Sequence, residues 1–446
     1  MRKVLIIGAG RSASSLIRYM IDHAPSEDWR LTVADKDIAH VRSVIGQGSE
    51  VAEAVAFDAT DGSLRARLIE AHDLVISMLP PSLHLGVVRD CLRIGRHAIT
   101  PSYVPDEMWS LDAEAKTRGL VLLNELGLDP GIDHMSAMRI LDRIRAEGGR
   151  MMAFESYCGG LIAPESDTNP WGYKFTWNPR NVVLAGQGGM ARYIKDGEYK
   201  YVPYHKLFQR TVRIAVPHYG AYDGYANRDS LRYRRHYGLD EVPTLVRGTL
   251  RKAGFCTAWD VFVQLGCTDD SFIMELPKNA TWQDFLMAFL PHDVERGPRE
   301  NLAHYLGLDP KGEIMAKLEW LGLFGRGRIQ DPQRSPAAIL QSLLEEKWQL
   351  LPGDRDMVVM WHRFRYTVDD RQLELQASLV SEGESEQHTA MSRTVGLPVA
   401  IAAKLVLNGQ IAQRGVLMPI AEEIYAPVLH ELEDLGIRFL EEELEA

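Results

Sequence analysis

Lys3–Ala13 reads KVLIIGAGRSA, an apolar run that ends in a glycine turn. Apolar residues then recur at helical spacing between Leu16 and Ile21, so the segment predicts a strand, a tight turn and a helix. Gly8 and Gly10 let the backbone approach a pyrophosphate at the helix N-terminus, and Ala13 is small enough to keep the helix close to the strand. The stretch therefore predicts a dinucleotide-binding βα unit.

A second strand, Leu31–Ala34, ends in Asp35 at about the spacing expected of a ribose-binding acid. The alternative is that Asp35 only caps the next helix. A carboxylate that accepts the ribose hydroxyls favours NAD, whereas the neighbouring Lys36 is suited to the 2′-phosphate of NADP. We expect NAD or NADP as cofactor, with NAD slightly ahead.

Further βα units follow, with strands at Val51–Phe57, Asp73–Ser77 and His97–Thr100. The pattern predicts an α/β fold with a Rossmann-type doubly wound parallel sheet. His84, one turn into a helix, is expected to be a surface or capping residue. The residues expected to contact the cofactor in these units are Gly8, Gly10, Arg11, Ser12, Ala13, Asp35, Lys36, Asp58, Ala59, Ser77 and Leu79.

A strand-to-helix turn follows the apolar run Leu120–Leu123. Pro130 disfavours a helical residue before it and Gly131 frees the backbone, so a tight turn can present Asp129, Asp133 and His134 at its mouth. The alternative is a plain turn in which Asp129 or Asp133 caps the helix.

Beyond Gly149 the pattern changes to alternating apolar residues, which predicts a second, mixed-sheet α+β domain. Lys174 and Asn178 lie in an aromatic-rich run and offer directed hydrogen bonds. Arg228 and Arg247 carry guanidinium forks suited to carboxylates, although a surface ion pair is the commoner role of an arginine. Helical spacing dominates later in this half. The predicted boundaries are 1–130 for the Rossmann domain with helices at 391–446, 131–241 and 351–390 for the second domain, and 242–350 for a helical insertion.

The composition describes a globular protein that handles small molecules. Of 446 residues, 46% are hydrophobic, and the formal net charge of -11 without a long basic run argues against nucleic acid as a partner. The four cysteines form no CxxC pair, so no disulfide framework or metal site is indicated and a cytoplasmic location is expected. No segment is expected to approach the length of a membrane span.

Several separate strings in the right order resemble saccharopine dehydrogenase of the glutamate-forming type. They run from the first strand to the last helices and include Ser102-Tyr103-Val104, Asn124-Glu125, Gly127 to His134, Tyr157 to Leu161, Tyr173-Lys174-Phe175, Asn227 to Ser230 and Val246 to Thr249. The resemblance implies a Rossmann domain completed by C-terminal helices, a helical insertion in the second domain, and a homodimer.

The resemblance also implies an activity and the residues that carry it. The reaction joins the amine of L-glutamate to 2-aminoadipate 6-semialdehyde by reduction with NADH or NADPH, or runs in reverse on saccharopine. We expect catalytic or positioning roles for Asp129, Tyr103 and Cys158. Leu128 and Ser102 are expected near the cofactor, and the expected substrate contacts are Ser102, Tyr103, Asp129, Lys174, Asn178, Arg228, Arg247 and Thr249.

The sequence is also compatible with two other functions. One is a related reductive condensation on a polyamine, as in carboxynorspermidine dehydrogenase or homospermidine synthase. A cationic substrate of that kind calls for acids rather than Arg228 and Arg247. The other is a nucleotide-binding scaffold without turnover, against which the intact set of strings argues.

Overall fold

A computed structural model describes residues 1–46 and 48–445. The chain forms two compact units: unit 1 comprises Met1–Arg150, Tyr366–Leu373 and Leu379–Ala446, and unit 2 comprises Met151–Arg365 and Glu374–Ser378. The elements from the first strand to the helix after the central turn are β1 (Arg2–Ile7), α1 (Ser14–Glu27), β2 (Trp29–Asp35), α2 (Ile38–Ile45), β3 (Ala52–Ala56), α3 (Gly62–Glu70), β4 (Leu74–Ser77), α4 (Pro81–Ile94), β5 (His97–Ile99), α5 (Asp106–Trp109), α6 (Asp112–Thr117), β6 (Val121–Leu123) and α7 (Ile132–Ala146).

Unit 1 contains the expected parallel sheet. Its seven strands run in the order β15-β6-β5-β4-β1-β2-β3, and every pairing is parallel. The order reverses direction beside β1, which is where doubly wound sheets bind their ligands. β1 and β4 are apolar because both faces of these strands are buried by helices.

The second part of the chain supplies the elements of unit 2. They are β7 (Arg150–Ile162), α8 (Pro179–Val183), β8 (Ala191–Lys195), β9 (Glu198–Val202), α9 (Tyr204–Leu207), β10 (Thr211–Val216), β11 (Gly220–Ala226), β12 (Thr244–Lys252), α10 (Phe255–Leu265), α11 (Trp282–Met287), α12 (Pro298–Leu306), α13 (Glu313–Leu321), α14 (Pro336–Lys347), β13 (Asp356–Val368) and β14 (Arg371–Glu382). The sheet is mixed, in the order β10-β11-β12-β7-β13-β14, with β8 pairing both β12 and β9. The ends of β13 and β14 belong to unit 1, where β16 (Leu440–Glu445) follows β14 in the strand order.

The helical insertion begins later than the sequence predicts. The sequence predicts a helical insertion over residues 242–350, but Thr244–Lys252 is a strand that pairs with β11 and β7, and the helices begin at Phe255. The short run TLVRGTLRK carries β-branched residues and alternates in side-chain direction, which the helical periodicity of the following residues obscured. The insertion packs around buried aromatic rings, among them Trp171, Trp259 and Trp348.

The C-terminal part of unit 1 holds α15 (Ala390–Leu407), β15 (Gly415–Leu417), α16 (Glu422–Asp434) and β16. β15 extends the parallel sheet beside β6. The expectation that no segment approaches the length of a membrane span is wrong for α15. By length and composition alone, this helix is long and apolar enough to cross a membrane. Of this apolar 18-residue stretch, 78% is buried inside the protein, as in the core helix of a soluble protein.

Candidate functional site

The glycine turn after β1 has the geometry of a phosphate-binding loop. Gly8 has φ +99°, and a Cβ there would stand 2.8 Å from the carbonyl oxygen of Met78. A Cβ at Gly10 would meet no described atom within 4 Å, apart from those of its chain neighbours. Among the described residues, no side chain caps the N-terminus of α1 and its first turn holds no acidic residue. A helix N-terminus without a capping side chain or an acidic first turn can bind a pyrophosphate through its backbone N–H groups. The residues of this turn therefore fit a dinucleotide.

Asp35 lies at the end of β2 and is tied to the glycine turn. Its Oδ2 accepts the backbone N–H of Ala9 at 2.8 Å, and its Oδ1 accepts the N–H of Asp37 at 3.0 Å. It is not the cap of α2, since Asp37 fills that position. Lys36 Nζ lies 3.1 Å from Asp58 Oδ2 in an exposed ion pair. Hydrogen bonds from Thr60 and the neighbouring Lys36 lower the pKa of Asp58 to about 2.

The other expected cofactor residues of unit 1 lie along the loops that follow its strands. Phe57 N–H bonds to the carbonyl of Asp35, which brings the end of β3 beside that of β2. The remaining positions differ in exposure: Ser77, Ala59, Ala13 and Leu128 are buried, Ser12, Leu79 and Ser102 are half-buried, and Arg11 is exposed.

His84 is buried, so the expectation of a surface or capping residue is wrong. Its Nδ1 lies 2.8 Å from Ser77 Oγ, and its Nε2 lies 2.8 Å from Ser102 Oγ. Thr100 Oγ1 lies 3.2 Å from both ring nitrogens. Burial lowers the pKa of His84 to about 4, so the ring is neutral at physiological pH and fixes the Ser102 hydroxyl through one donor and one acceptor nitrogen.

The central turn is closed by its own backbone. Gly127 N–H bonds to the carbonyl of Pro130, and Ile132 N–H bonds to the carbonyl of Gly127, both at 2.9 Å. Gly131 has φ +146°, and a Cβ there would lie 2.0 Å from Gly127 O, so only glycine fits. Asp129 is half-buried, and the Tyr103 hydroxyl donates to its Oδ1 at 3.2 Å. Gly131 occupies the N-cap position of α7, so Asp129 is not the N-cap residue of that helix.

Asp133 and His134 do not lie at the mouth of the turn as expected, because both side chains are buried. Asp133 Oδ1 accepts the N–H of Gly131 at 2.6 Å, and His134 Nε2 lies 2.8 Å from Glu125 Oε2. The other carboxylate oxygen of Glu125 accepts the N–H of Val104 at 2.9 Å. Glu125 thus fastens the segment that carries Tyr103 to helix α7, a role that its sequence position does not reveal.

In unit 2, β12 carries Arg247 and Thr249 on one face of the sheet. Thr249 is in register with Cys158 of β7 and with Tyr225 of β11, which places three polar side chains in one row. The guanidinium of Arg247 lies 4.3 Å from the centroid of the Tyr233 ring. On the opposite face, a Cβ at Gly248 would stand 2.3 Å from the ring of Tyr157, which explains the glycine between Arg247 and Thr249.

Lys174 is paired inside the fold, whereas the sequence predicts a cation that is available to a substrate. Its Nζ lies 2.6 Å from Asp354 Oδ2 in a buried pair, and Asp354 also accepts the N–H of Leu351 at 2.7 Å. Lys174 is therefore paired inside the fold, and the substrate contact predicted for it stays a prediction. Asn178 is exposed and caps α8 by accepting the N–H of Arg180 at 2.9 Å. Arg228 is exposed on a left-handed residue with φ +49°, and the substrate roles of Asn178 and Arg228 stay predictions.

The sheet order and the glycine turn define unit 1 as a Rossmann-type dinucleotide-binding domain. Two family models match the chain: the saccharopine dehydrogenase NADP binding domain at residues 4–123 and the saccharopine dehydrogenase C-terminal domain at residues 127–437. The chain belongs to the saccharopine dehydrogenase family.

Several relatives align with nearly the whole of this chain. "Saccharopine dehydrogenase [NADP(+), L-glutamate-forming]" of Saccharomyces cerevisiae is 34% identical over 97% of both chains. The protein of the same name from Schizosaccharomyces pombe is 31% identical over 100% of this chain and 99% of its own length. The mitochondrial alpha-aminoadipic semialdehyde synthase of Bos taurus is 32% identical over 98% of this chain, which corresponds to 47% of that longer protein.

The solved structures agree with this assignment. Apo saccharopine dehydrogenase (L-Glu forming) from Saccharomyces cerevisiae matches with a TM-score of 0.89 and 33% identity over 100% of both chains. Homospermidine synthase from Legionella pneumophila matches with a TM-score of 0.56 at 10% identity, covering 100% of this chain and 92% of the other. That second likeness reports a shared fold alone.

Proposed function

We propose that this chain interconverts saccharopine and water with L-glutamate and 2-aminoadipate 6-semialdehyde, using a nicotinamide dinucleotide as the redox partner. The observation that carries the proposal is the identity of 34% over 97% of both chains with the glutamate-forming dehydrogenase of Saccharomyces cerevisiae.

The chemistry requires an imine and a hydride. The amine of glutamate attacks the aldehyde, water leaves, and the resulting imine carbon accepts a hydride to give the secondary amine of saccharopine. The cofactor supplies or accepts that hydride when bound. Asp129 and Tyr103 form a hydrogen-bonded pair that can move a proton at the substrate nitrogen or at the departing water. Ser102, fixed by His84, orients the groups beside this pair.

Unit 2 supplies groups for the substrate carboxylates. Arg247 is a buried cation on β12, and an arginine fork binds a carboxylate through two parallel hydrogen bonds. Thr249 and Cys158 form the polar row beside it. We propose Arg228 as a second cation for the same substrate, since it lies in an exposed left-handed turn before the short helix Ser230–Tyr233.

For the cofactor, the comparisons and the sequence favour different choices. The matched domain and the fungal relatives are named for NADP. Asp35, however, sets a carboxylate at the end of β2, and the cation beside it is paired with Asp58. A carboxylate at this position repels a 2′-phosphate. We propose that Asp35 lets this chain use NAD, with the NADP preference of the relatives as the competing result.

The assay that tests the function measures reduction of NAD and of NADP by purified protein with saccharopine, with L-glutamate quantified as the product. Equal amounts of glutamate and reduced cofactor support the proposal. A folded, dinucleotide-binding protein that forms neither product with saccharopine refutes it. The comparisons give no support to polyamine condensation beyond a shared fold, and a parallel reaction with spermidine precursors should stay at background.

We further propose a homodimer in the cytoplasm. Tyr199 and Tyr201 on β9 are 54% and 51% exposed, an apolar surface that a second copy can cover. In the described residues the four cysteines form no disulfide and are buried, as suits a reducing compartment. Light scattering on the purified protein and fractionation of cells test these two proposals separately.

A further inference from the structure

Ala9, in the middle of the glycine turn, is held by side chains at both of its polar backbone groups. Its N–H bonds to Asp35 Oδ2 at 2.8 Å, and its carbonyl oxygen lies 2.9 Å from Nε2 of His40, a residue of α2. Because a carbonyl oxygen only accepts, Nε2 carries the hydrogen and the imidazole donates to the turn. The sequence separates His40 from Ala9 by 31 residues, so no local pattern indicates this contact.

The position of the His40 side chain is fixed by the first turn of α2. Asp37 is the N-cap residue of this helix, and its Oδ1 accepts the backbone N–H of His40 at 3.0 Å. Asp35 Oδ1 in turn accepts the N–H of Asp37 at 3.0 Å. Ala9, Asp35, Asp37 and His40 therefore form a closed circuit of four hydrogen bonds. The circuit joins the glycine turn to the end of β2 and the start of α2.

This circuit supports the turn directly before its open part. On one side, Gly8 N–H bonds to the carbonyl of Ala34 at 2.9 Å, which ties the turn to β2. On the other side, a Cβ at Gly10 would meet no described atom within 4 Å, apart from those of its chain neighbours. A pyrophosphate at the start of α1 binds to backbone N–H groups of this open part. A turn that is already ordered binds more tightly, because less conformational freedom is lost on binding.

A purely stabilising role is the competing explanation for His40, since a buried carbonyl oxygen needs a hydrogen-bond partner. Ala9 is 1% exposed, so its carbonyl meets that condition. His40, however, is exposed, and among the residues that the structure describes its imidazole forms no other hydrogen bond. Substitutions at exposed positions usually change stability little. A loss of dinucleotide affinity without a loss of stability therefore distinguishes the two roles.

We propose that His40 is a positioning residue of the dinucleotide site, which holds the Ala9 peptide so that the turn has its binding form before the cofactor arrives. The inference rests on the proposed function for its ligand, a nicotinamide dinucleotide. It adds a residue outside the glycine turn that sets the affinity for the pyrophosphate, which NAD and NADP share. His40 therefore strengthens the binding of both cofactors alike, whereas Asp35 is proposed to distinguish them.

The test compares His40→Leu, which removes the donor, with His40→Gln, whose amide N–H can donate to the same carbonyl. NADH and NADPH are titrated by their fluorescence without saccharopine, so the dissociation constants do not depend on turnover. Losing the hydrogen bond should raise Kd for both cofactors by at least about fivefold in His40→Leu. His40→Gln should stay within about twofold of the unchanged protein, since a donor remains. With saccharopine and saturating cofactor, kcat should change less than about threefold in either variant.

His430→Leu is the matched control. His430 is an exposed histidine on α16 of the same unit, so its loss repeats the chemical change on a different helix. Its Kd for both cofactors should match that of the unchanged protein.

A double variant tests whether the two anchors of Ala9 act together. Asp35→Ala removes the acceptor of the Ala9 N–H, and His40→Leu removes the donor to its carbonyl. Because both residues hold one peptide, the double variant should lose less affinity than the product of the two single losses.

The outcomes separate the inference from the function. A folded His40→Leu with a smaller rise in Kd overturns the inference, and so does an equal rise in His40→Gln or His430→Leu, since the effect then does not come from the donor. A double variant that loses the full product shows two independent contacts and also overturns it. If His40→Leu fails to fold, or its rise in Kd matches its unfolded fraction, the residue acts in stability and the inference is rejected. If the unchanged protein binds dinucleotide but does not oxidise saccharopine, the proposed function fails while the Kd values still decide the inference.

Discussion

Replacing Asp129 by asparagine removes one negative charge from the central turn and keeps the shape of the side chain. The carboxylate is half-buried and accepts the hydroxyl of Tyr103 at 3.2 Å. The N-cap position of α7, which begins at Ile132, is Gly131, so the substitution leaves the N-cap residue unchanged. The backbone bonds that close the turn between Gly127 and Ile132 stay in place.

The expected effects on stability and on activity differ in size. An asparagine oxygen can still accept the Tyr103 hydroxyl, so this partly exposed bond loses its charge assistance, which costs about 1 kcal/mol. In a chain of this length that lowers Tm by roughly 2 to 4 °C or less. If Asp129 transfers a proton, its removal lowers kcat/KM for saccharopine by about 10² to 10⁴-fold, or roughly 3 to 5 kcal/mol in the barrier.

Thermal melting and initial rates of saccharopine oxidation on the same preparations separate these effects. Tyr103→Phe serves as the companion variant because it removes the hydroxyl and leaves the charge of Asp129. We expect a loss of about tenfold in that variant, from one hydrogen bond to a charged group. Asp129→Asn with kcat/KM within threefold of the unchanged protein, or with a loss that matches its unfolded fraction, would refute a proton-transfer role.

Substitution of Asp35, Lys174 or His84 should change cofactor choice, stability or the pH dependence of stability, respectively. Asp35→Ala should lower the NAD to NADP ratio of kcat/KM at least about tenfold, because the variant loses the ribose acceptor and the repulsion of a 2′-phosphate, and an unchanged ratio removes Asp35 from cofactor choice. Lys174→Met leaves Asp354 buried and unpaired and should cost about 3 to 5 kcal/mol in urea unfolding with a normal KM for saccharopine, whereas a raised KM at normal stability restores a substrate role. His84 has a folded-state pKa of about 4, below its usual 6.5, so its stabilising effect is present above pH 6.5 and declines as the pH falls towards 4. The stability difference between the unchanged protein and His84→Gln should therefore shrink over that range by up to about 3 kcal/mol, and a difference independent of pH contradicts a buried neutral ring.

The Rossmann half could be predicted because its signals are local. A strand, a glycine turn and a helix occupy adjacent residues, and the same pattern repeats through β4. Asp35 was placed correctly at the end of β2 for the same reason. The start of the helical insertion was missed because β12 is only Thr244–Lys252 and is followed directly by the helical pattern of α10.

The site residues that sequence reasoning missed depend on contacts between distant segments. His84 gains its role from Ser102, and Lys174 is paired with Asp354, which lies 180 residues away in the sequence. Glu125 connects Val104 to His134 only after the strand and the helix have formed. A lone histidine on a helix has no periodic signal that distinguishes a buried hydrogen-bonded ring from a surface one.

Unit 2 accommodates two of its buried cations, Lys174 and Arg251, in different ways. Lys174 and Arg251 are 3% and 4% exposed, so each needs a negative partner. The chain supplies that partner for Lys174, whose Nζ lies 2.6 Å from Asp354. For Arg251 the described residues supply rings and one backbone carbonyl. The fold therefore accommodates one buried cation with an ion pair and the other with aromatic rings, whose faces attract the guanidinium.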